Sequence, residues 1–266
     1  MPDILSTNDY AAAARQNVSW QKTGARTTIA TAPFSVFEVA GNPGAGVLAG
    51  TSTAAGVVPT DATAGCPLLN AFGGSAVGRL TRVRFGSSVA SRVAIYDLLF
   101  KAGAYSFNSN VSLAAQPSYT GRIPAEEGYA STELWVETVT AFTGAMSIAV
   151  GYTRGDGTAA RTTGTVATGI TPTLGRMIQL PLAAGDLGIQ KVESVLASIA
   201  TVGTFNLLVL RKLWEGRVKF AGDGDTHDFF KTGAPQVYTD SALFGIVYAD
   251  STAIGLPDLT LEIANK

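Results

Sequence analysis

The feature that most constrains this chain is a series of short strand-like runs from Leu80 to the end, the first of which alternates charged and apolar side chains from Arg82 to Phe85. Leu80-Thr81-Arg82-Val83-Arg84-Phe85 sets Val83 and Phe85 against Arg82 and Arg84. A period of two is that of a strand with one buried face. Similar runs follow at residues 92–98, 133–140, 146–153, 158–166, 176–180, 189–196, 205–213, 243–249 and 258–263. They are rich in β-branched and aromatic residues, which suit a pleated surface, and Gly, Pro or Asn separates nearly every pair. Arg154-Gly155-Asp156-Gly157 carries the Asp-Gly signal of a tight hairpin. The pattern predicts an all-β fold, a jelly-roll-like β-sandwich of about eight to ten strands.

Two stretches test that reading. Ile189, Val192, Val195, Leu196 and Ile199 also suit one face of a helix, and their β-branched side chains favour a strand. Residues 194–210 carry no charge, but Ser194, Ser198, Thr201, Gly203, Thr204 and Asn206 interrupt the run. It falls short of the apolar length a membrane span needs and reads as two strands around a turn at Thr201-Val202-Gly203-Thr204.

The first 75 residues differ. Ala11 to Ala14 suit a short helical turn. Between Val39 and Gly78 the one charge is Asp61, and glycines punctuate the segment too often for a helix. Residues 1–75 are therefore expected to form an extended Gly/Ala/Thr-rich arm, and residues 76–266 the β-sandwich. The length allows one large β domain or two smaller ones. The start, Met1-Pro2-Asp3-Ile4-Leu5, lacks the basic and apolar regions of a secretory signal.

Composition narrows the chemistry. Ala, Gly, Thr and Ser make up 118 of 266 residues, and charged residues are 15%, against roughly 25% in ordinary soluble domains. A surface so poor in charge is expected to be covered by other copies or other proteins. One Cys forms no internal disulfide and no cysteine-based zinc site. A net charge of −1 gives no basic excess for nucleic acid.

The densest polar cluster is Asp223-Gly224-Asp225-Thr226-His227-Asp228. Asp223, Asp225 and Asp228 are metal-ligand candidates by their alternate spacing, but an EF-hand would need Glu where Ala234 stands. An exposed turn accounts for the cluster better. His227 lacks the Gly-x-Ser-x-Gly elbow of a hydrolase. Gly44-Ala45-Gly46-Val47-Leu48-Ala49-Gly50 departs from the phosphate-binding glycine spacing. Glu133 and Glu137 share a strand face, which a solvent-facing edge explains as well as a glycosidase pair does. Trp135, Trp214 and Cys66 read as buried. Tyr105, Phe107, Tyr119 and Tyr129 fall in loop-rich sequence and are expected to contact a partner, as interface aromatics do. Arg79, Arg82, Arg84 and Arg92 concentrate positive charge. Arg82 and Arg84 share a face and could meet a negatively charged neighbour.

The runs Val93-Ala94-Ile95-Tyr96-Asp97-Leu98-Leu99-Phe100-Lys101-Ala102-Gly103-Ala104-Tyr105-Ser106-Phe107, Gly164-Thr165-Val166-Ala167-Thr168-Gly169 and Gly175-Arg176-Met177-Ile178-Gln179-Leu180-Pro181-Leu182 are similar to stretches of phage proteins. From Leu80 onward the chain resembles virion structural proteins of tailed bacteriophages. The resemblance implies a virion component that decorates or cements a capsid, and it carries no catalytic motif. The expected partners are other copies of the chain and the capsid or another virion protein, with no nucleic acid, no membrane, no cofactor and no enzymatic activity. A tail or fibre β-sandwich module that binds a glycan or another virion protein is the alternative.

Overall fold

The computed structural model describes residues 4, 6–24, 26, 28–50, 52–73, 77–106, 110–113, 115–168, 173–197, 202–252 and 256–266. Among them are eighteen strands and two short α-helices, and every register given for the strands is antiparallel. The all-β class expected from the alternation is therefore what the chain adopts. It forms two compact units, each assembled from separated stretches. One is Met1–Gly46, Thr60–Asp97 and Leu213–Lys266, and the other is Val47–Pro59 and Leu98–Lys212.

In the first unit a sheet runs in the order Val77–Ser87, Pro257–Asn265, Ala14–Lys22, Gly41–Asn42. Gly224–His227 and Gln236–Tyr238 both pair with the far side of Val77–Ser87. The expected alternation at residues 80–85 is present, with a bulge at Thr81. Arg82 pairs with Glu262 and Leu80 with Ile263, and the register shifts between them. Against this sheet stands a second one, in which Leu243–Ala249 lies between Pro33–Ser35 and residues 91–97. The space between is filled by Val18, Trp20, Val83, Phe85, Leu259 and Leu261 from one side and Val36, Val93, Ile95, Leu243 and Val247 from the other. Two sheets closing on one apolar layer make a sandwich.

Residues 1–75 are thus organised differently from the expected arm. Ala14–Lys22 is an inner strand of that sheet, and Trp20, Phe34, Val36, Phe37, Val39, Leu69 and Phe72 are all buried. The glycines that suggested an unstructured arm instead allow close packing. A Cβ on Gly46 would fall 2.4 Å from the Phe37 ring, and one on Gly65, whose φ is +98°, would fall 2.6 Å from it. The short helical turn expected at Ala11–Ala14 with the flanking residues is the helix Thr7–Ala12, and Ala14 already belongs to the first strand. There Ser6 Oγ accepts from the Asp9 N–H at 3.1 Å as an N-cap.

In the second unit Met146–Arg154 lies between Ile189–Ala197 on one side and Arg161–Thr162 and Val166–Thr168 on the other. Asn110–Ser112 pairs beyond Ile189–Ala197. The facing layer has Thr132–Thr140 between Met177–Leu180 and residues 204–211. Met146, Ile148, Val150, Tyr152, Leu134, Val136, Phe205, Leu207 and Val209 fill the core between them. Each unit therefore closes its own sandwich.

The Asp-Gly hairpin is present, with the Gly157 N–H donating to the Arg154 carbonyl at 2.9 Å. The segment that also suited a helix is the strand Ile189–Ala197, and two register shifts explain its spacing. They fall between Ile189 and Lys191 and between Val192 and Ser194. Each bulge inserts one residue, so inward side chains recur every third position, at Ile189, Val192 and Val195. Of the turn expected at Thr201-Val202-Gly203-Thr204, Thr201 lies outside the described residues, and the next strand starts at Thr204. No helix among the described residues is long and apolar enough to cross a membrane.

Candidate interaction surface

The outer face of the first unit's larger sheet is polar because the alternation that sends Val83, Phe85, Leu259 and Leu261 inward sends their neighbours outward. Register aligns Thr226, Arg84, Thr260 and Ser19 across four strands. An open groove of about 410 Å³ crosses this face, lined by Gln21, Arg84, Gly86, Asp225, Asp258 and Thr260 among others.

Arg82 and Arg84 share that face, as their spacing implies, but their surroundings differ. Arg82 Nη2 donates to Glu262 Oε2 at 2.6 Å. Glu262 Oε1 accepts from Tyr10 Oη at 2.6 Å and from Thr81 Oγ1 at 3.0 Å. That carboxylate raises the Tyr10 phenol above its ordinary pKa by accepting its proton in a hydrogen bond. Arg82 is thus tied to its own sheet, whereas Arg84 is exposed on the groove wall. Arg92 stacks over the Tyr248 ring, 3.9 Å from its centroid, and reaches Glu215 at 3.4 Å. Arg82, Arg84 and Arg92 therefore do not form one basic stripe.

The Asp223 cluster occupies the edge strand Gly224–His227 and the start of the next helix. Asp223 Oδ1 accepts from the Gly224 N–H at 2.8 Å, and Asp225 Oδ1 from the Thr226 N–H at 2.7 Å. That second bond holds the Asp225 carboxyl below the usual carboxylate range. Asp228 caps the helix Phe229–Thr232 through the Lys231 N–H at 3.1 Å. Among the described residues no group of three His, Cys, Asp or Glu is placed to hold a metal ion. His227 Nδ1 accepts from Trp214 Nε1 at 3.0 Å, and its ring packs edge-on to Phe85. The lone His is thus part of an aromatic cluster.

The loop aromatics need correction. Tyr105 lies in the strand Ser91–Ser106 and is 1% exposed, and Tyr119 is 3% exposed. Their hydroxyls donate to the Thr53 and Ile189 carbonyls at 2.9 and 3.0 Å, so the rings fill the core and cannot stack on a partner. Burial pushes the Tyr119 phenol up, with Tyr129 adding to the shift. Tyr129 is half-buried and its hydroxyl lies 2.8 Å from Thr120 Oγ1. Phe107 lies outside the described residues. Trp135, Trp214 and Cys66 are buried as expected. Glu133 and Glu137 form no acid–base pair, because Glu133 accepts from Trp135 Nε1 at 2.8 Å while Glu137 is fully buried.

Residue typing overlooked Phe220 and Phe230, which are 72% and 75% exposed. Phe220 precedes the edge strand Gly224–His227 and Phe230 follows it, in the helix Phe229–Thr232. A groove of about 350 Å³ lies beside the second, lined by Ile4, Arg79, Phe229, Phe230, Gly233 and Ala234. The available signal was an aromatic within turn chemistry, in Lys219-Phe220-Ala221-Gly222 and Asp228-Phe229-Phe230-Lys231.

No protein-family model matches the chain, and no curated protein matches it. Among solved structures it is similar to a chain from the infectious bursal disease virus Gx strain. That match has a TM-score of 0.18 and 8% identity, and covers 95% of this chain and 81% of that one. It is also similar to the infectious bursal disease virus VP2 subviral particle, with a TM-score of 0.18 and 10% identity over 96% of this chain and 80% of that one. Likeness at this strength lies below what two chains of one fold share.

Proposed function

We propose that this chain is a structural protein of a virion, one that decorates or cements a tailed-phage capsid through many copies of one protein–protein contact. In this reading it is not an enzyme and needs no cofactor. The observation that carries the proposal is the makeup of one exposed edge. Phe220 and Phe230, before and after the edge strand Gly224–His227 in the sequence, are exposed, and Arg84 stands exposed on the adjacent groove. Aromatics and Arg are the residue types that anchor protein interfaces. The low charge of the chain supports the same reading. Repetition over a shell turns a weak single contact into strong retention. The glycan-binding alternative draws no support from Tyr105 and Tyr119, which are buried.

The test is reconstitution. Purified chain is added to phage particles that lack it, and occupancy is read by sedimentation and electron microscopy. Saturation at a fixed number per shell is expected. F220S, F230S and R84E should each lower occupancy while leaving cooperative melting intact. No binding to particles, or binding indifferent to all three substitutions, overturns the proposal.

A further inference from the structure

Three side chains that ordinarily seek water are buried together in the unit that contains residues 98–212. Lys101 is 6% exposed, and Glu137 and Asn206 are fully buried. They stand on Ser91–Ser106, Thr132–Thr140 and Thr204–Val218, with Thr204–Val218 between the other two. Asn206 is the register partner of Glu137. Phe100, Ala102, Val136, Phe205 and Leu207 point into the unit's core, so alternation puts all three polar groups on the opposite face. Residues 47–50 lie over them. Lys101 Nζ donates to the Val47 carbonyl at 2.8 Å and Asn206 Nδ2 to the Leu48 carbonyl. Three apolar side chains would fill this space without the cost of burying charge.

The three polar groups meet at one carboxylate oxygen. Asn206 Nδ2 donates to Glu137 Oε2 at 3.0 Å, and Lys101 Nζ lies 4.0 Å from the same oxygen. Amine and amide thus converge on one carboxylate oxygen. Glu137 Oε1 is buried with no hydrogen-bond partner among the described residues. The Gly50 N–H donates to Asn206 Oδ1 at 3.0 Å. Close approach is built in, since a Cβ on Gly103 would fall 2.5 Å from Asn206 Oδ1, and one on Gly50 would fall 2.3 Å from the Gly103 carbonyl carbon.

We propose that Lys101 and Asn206 join in an intramolecular isopeptide bond, with Glu137 as the proton carrier. Glu137 takes a proton from the Lys101 ammonium, and the neutral Nζ attacks Asn206 Cγ. A new C–N bond forms, and negative charge develops on Oδ1, where the Gly50 N–H stabilises it as an oxyanion hole does. The Cγ–Nδ2 bond then breaks. Both protons lost from Nζ pass to the departing nitrogen through Glu137, which ends as a carboxylate. One ammonium ion leaves, an amide links the two strands, and no oxidant or cofactor is consumed. Fixed proximity replaces the entropy of bringing amine and amide together. The proposal is independent of where in a particle the chain sits.

The test is the intact mass of the freshly purified full chain under denaturing conditions, followed by tryptic mapping. The wild type is expected to be lighter than its sequence by one ammonia. It should yield a branched peptide joining the Lys101 and Asn206 segments, uncut after Lys101. K101R, N206A and E137Q should each show the full calculated mass. E137Q nearly preserves shape and separates a chemical role from a folding one, provided it melts cooperatively. A wild type at full mass overturns the proposal, as does loss of ammonia with Lys101 unlinked. A folded E137Q that crosslinks completely overturns the role given to Glu137.

Discussion

Glu262 accepts Arg82 Nη2 on one oxygen and both Tyr10 Oη and Thr81 Oγ1 on the other, so a single buried carboxylate gathers an inner strand, a bulge and the N-terminal helix. Two arginines that sequence spacing makes equivalent are therefore inequivalent. R82A should lower unfolding free energy by about 1 kcal/mol, since Arg82 is partly exposed while its acceptor is not. R84A should stay within about 0.5 kcal/mol of wild type and yet weaken particle binding. Urea titration paired with sedimentation separates the two effects, and equal effects of both substitutions on stability would contradict the assignment.

Lys22 gives a pH signature. Its ammonium nitrogen donates to the Val39 and Pro43 carbonyls at 3.1 and 2.9 Å. Burial lowers its pKa from 10.5 to about 8. Between those two values the unfolded chain holds a proton that the folded chain has released, so stability rises with pH across that window. Wild type should therefore gain stability from pH 8 to 10 relative to K22M, in matched denaturation series. Parallel curves for the two proteins would show that burial does not shift Lys22.

The place of Ala14–Lys22, Pro33–Ser35 and Gly41–Asn42 in the first unit's sheets makes truncation destructive. Removing residues 1–60 deletes the inner strand Ala14–Lys22 and buried Trp20, Phe34 and Phe37. The truncated chain should lose cooperative unfolding of that unit and become sensitive to proteolysis within residues 213–266. W20A alone should cost about 3–5 kcal/mol. A truncated chain with well-dispersed amide resonances throughout residues 77–97 and 213–266 would mean that the segment is dispensable to the fold.

Bulges in Ile189–Ala197 predict a three-residue rhythm of mutational sensitivity. I189A should cost about 2–5 kcal/mol, because it leaves a cavity at a fully buried position. Q190A, at an exposed neighbour, should stay within about 0.5 kcal/mol. Substitutions at Val192 and Val195 should resemble I189A in direction. Chemical denaturation of the series reads the rhythm, and a two-residue rhythm would place the bulges elsewhere.

Much of the architecture was legible in the sequence, for a local reason. Alternation from Arg82 to Phe85, and β-branched and aromatic runs at 146–153 and 243–249 with glycine and proline between the runs, mark strands because these patterns are local to the chain. Asp156-Gly157 marked its turn in the same way. Harder cases needed information from distant residues. A bulge depends on the partner strand, so Ile189, Val192 and Val195 carry a spacing that a helix would share until Met146–Arg154 sets the register. Tyr105 and Tyr119 lie in sequence that reads as loop, and only the strands packed over them make them core.

What the sequence determined by itself was the all-β class, the positions of most strands after Leu80, and a scarcity of catalytic side chains. Tertiary structure decided which face of each strand is covered. It separated Arg82 from Arg84, drew the glycine-rich first segment into a sandwich, and buried Lys101, Glu137 and Asn206 side by side. The division has one physical cause. Strand propensity and alternation are set by neighbours in the chain, whereas burial and the meeting of three charged or polar groups are set by strands far apart in sequence, whose pairing no local pattern encodes.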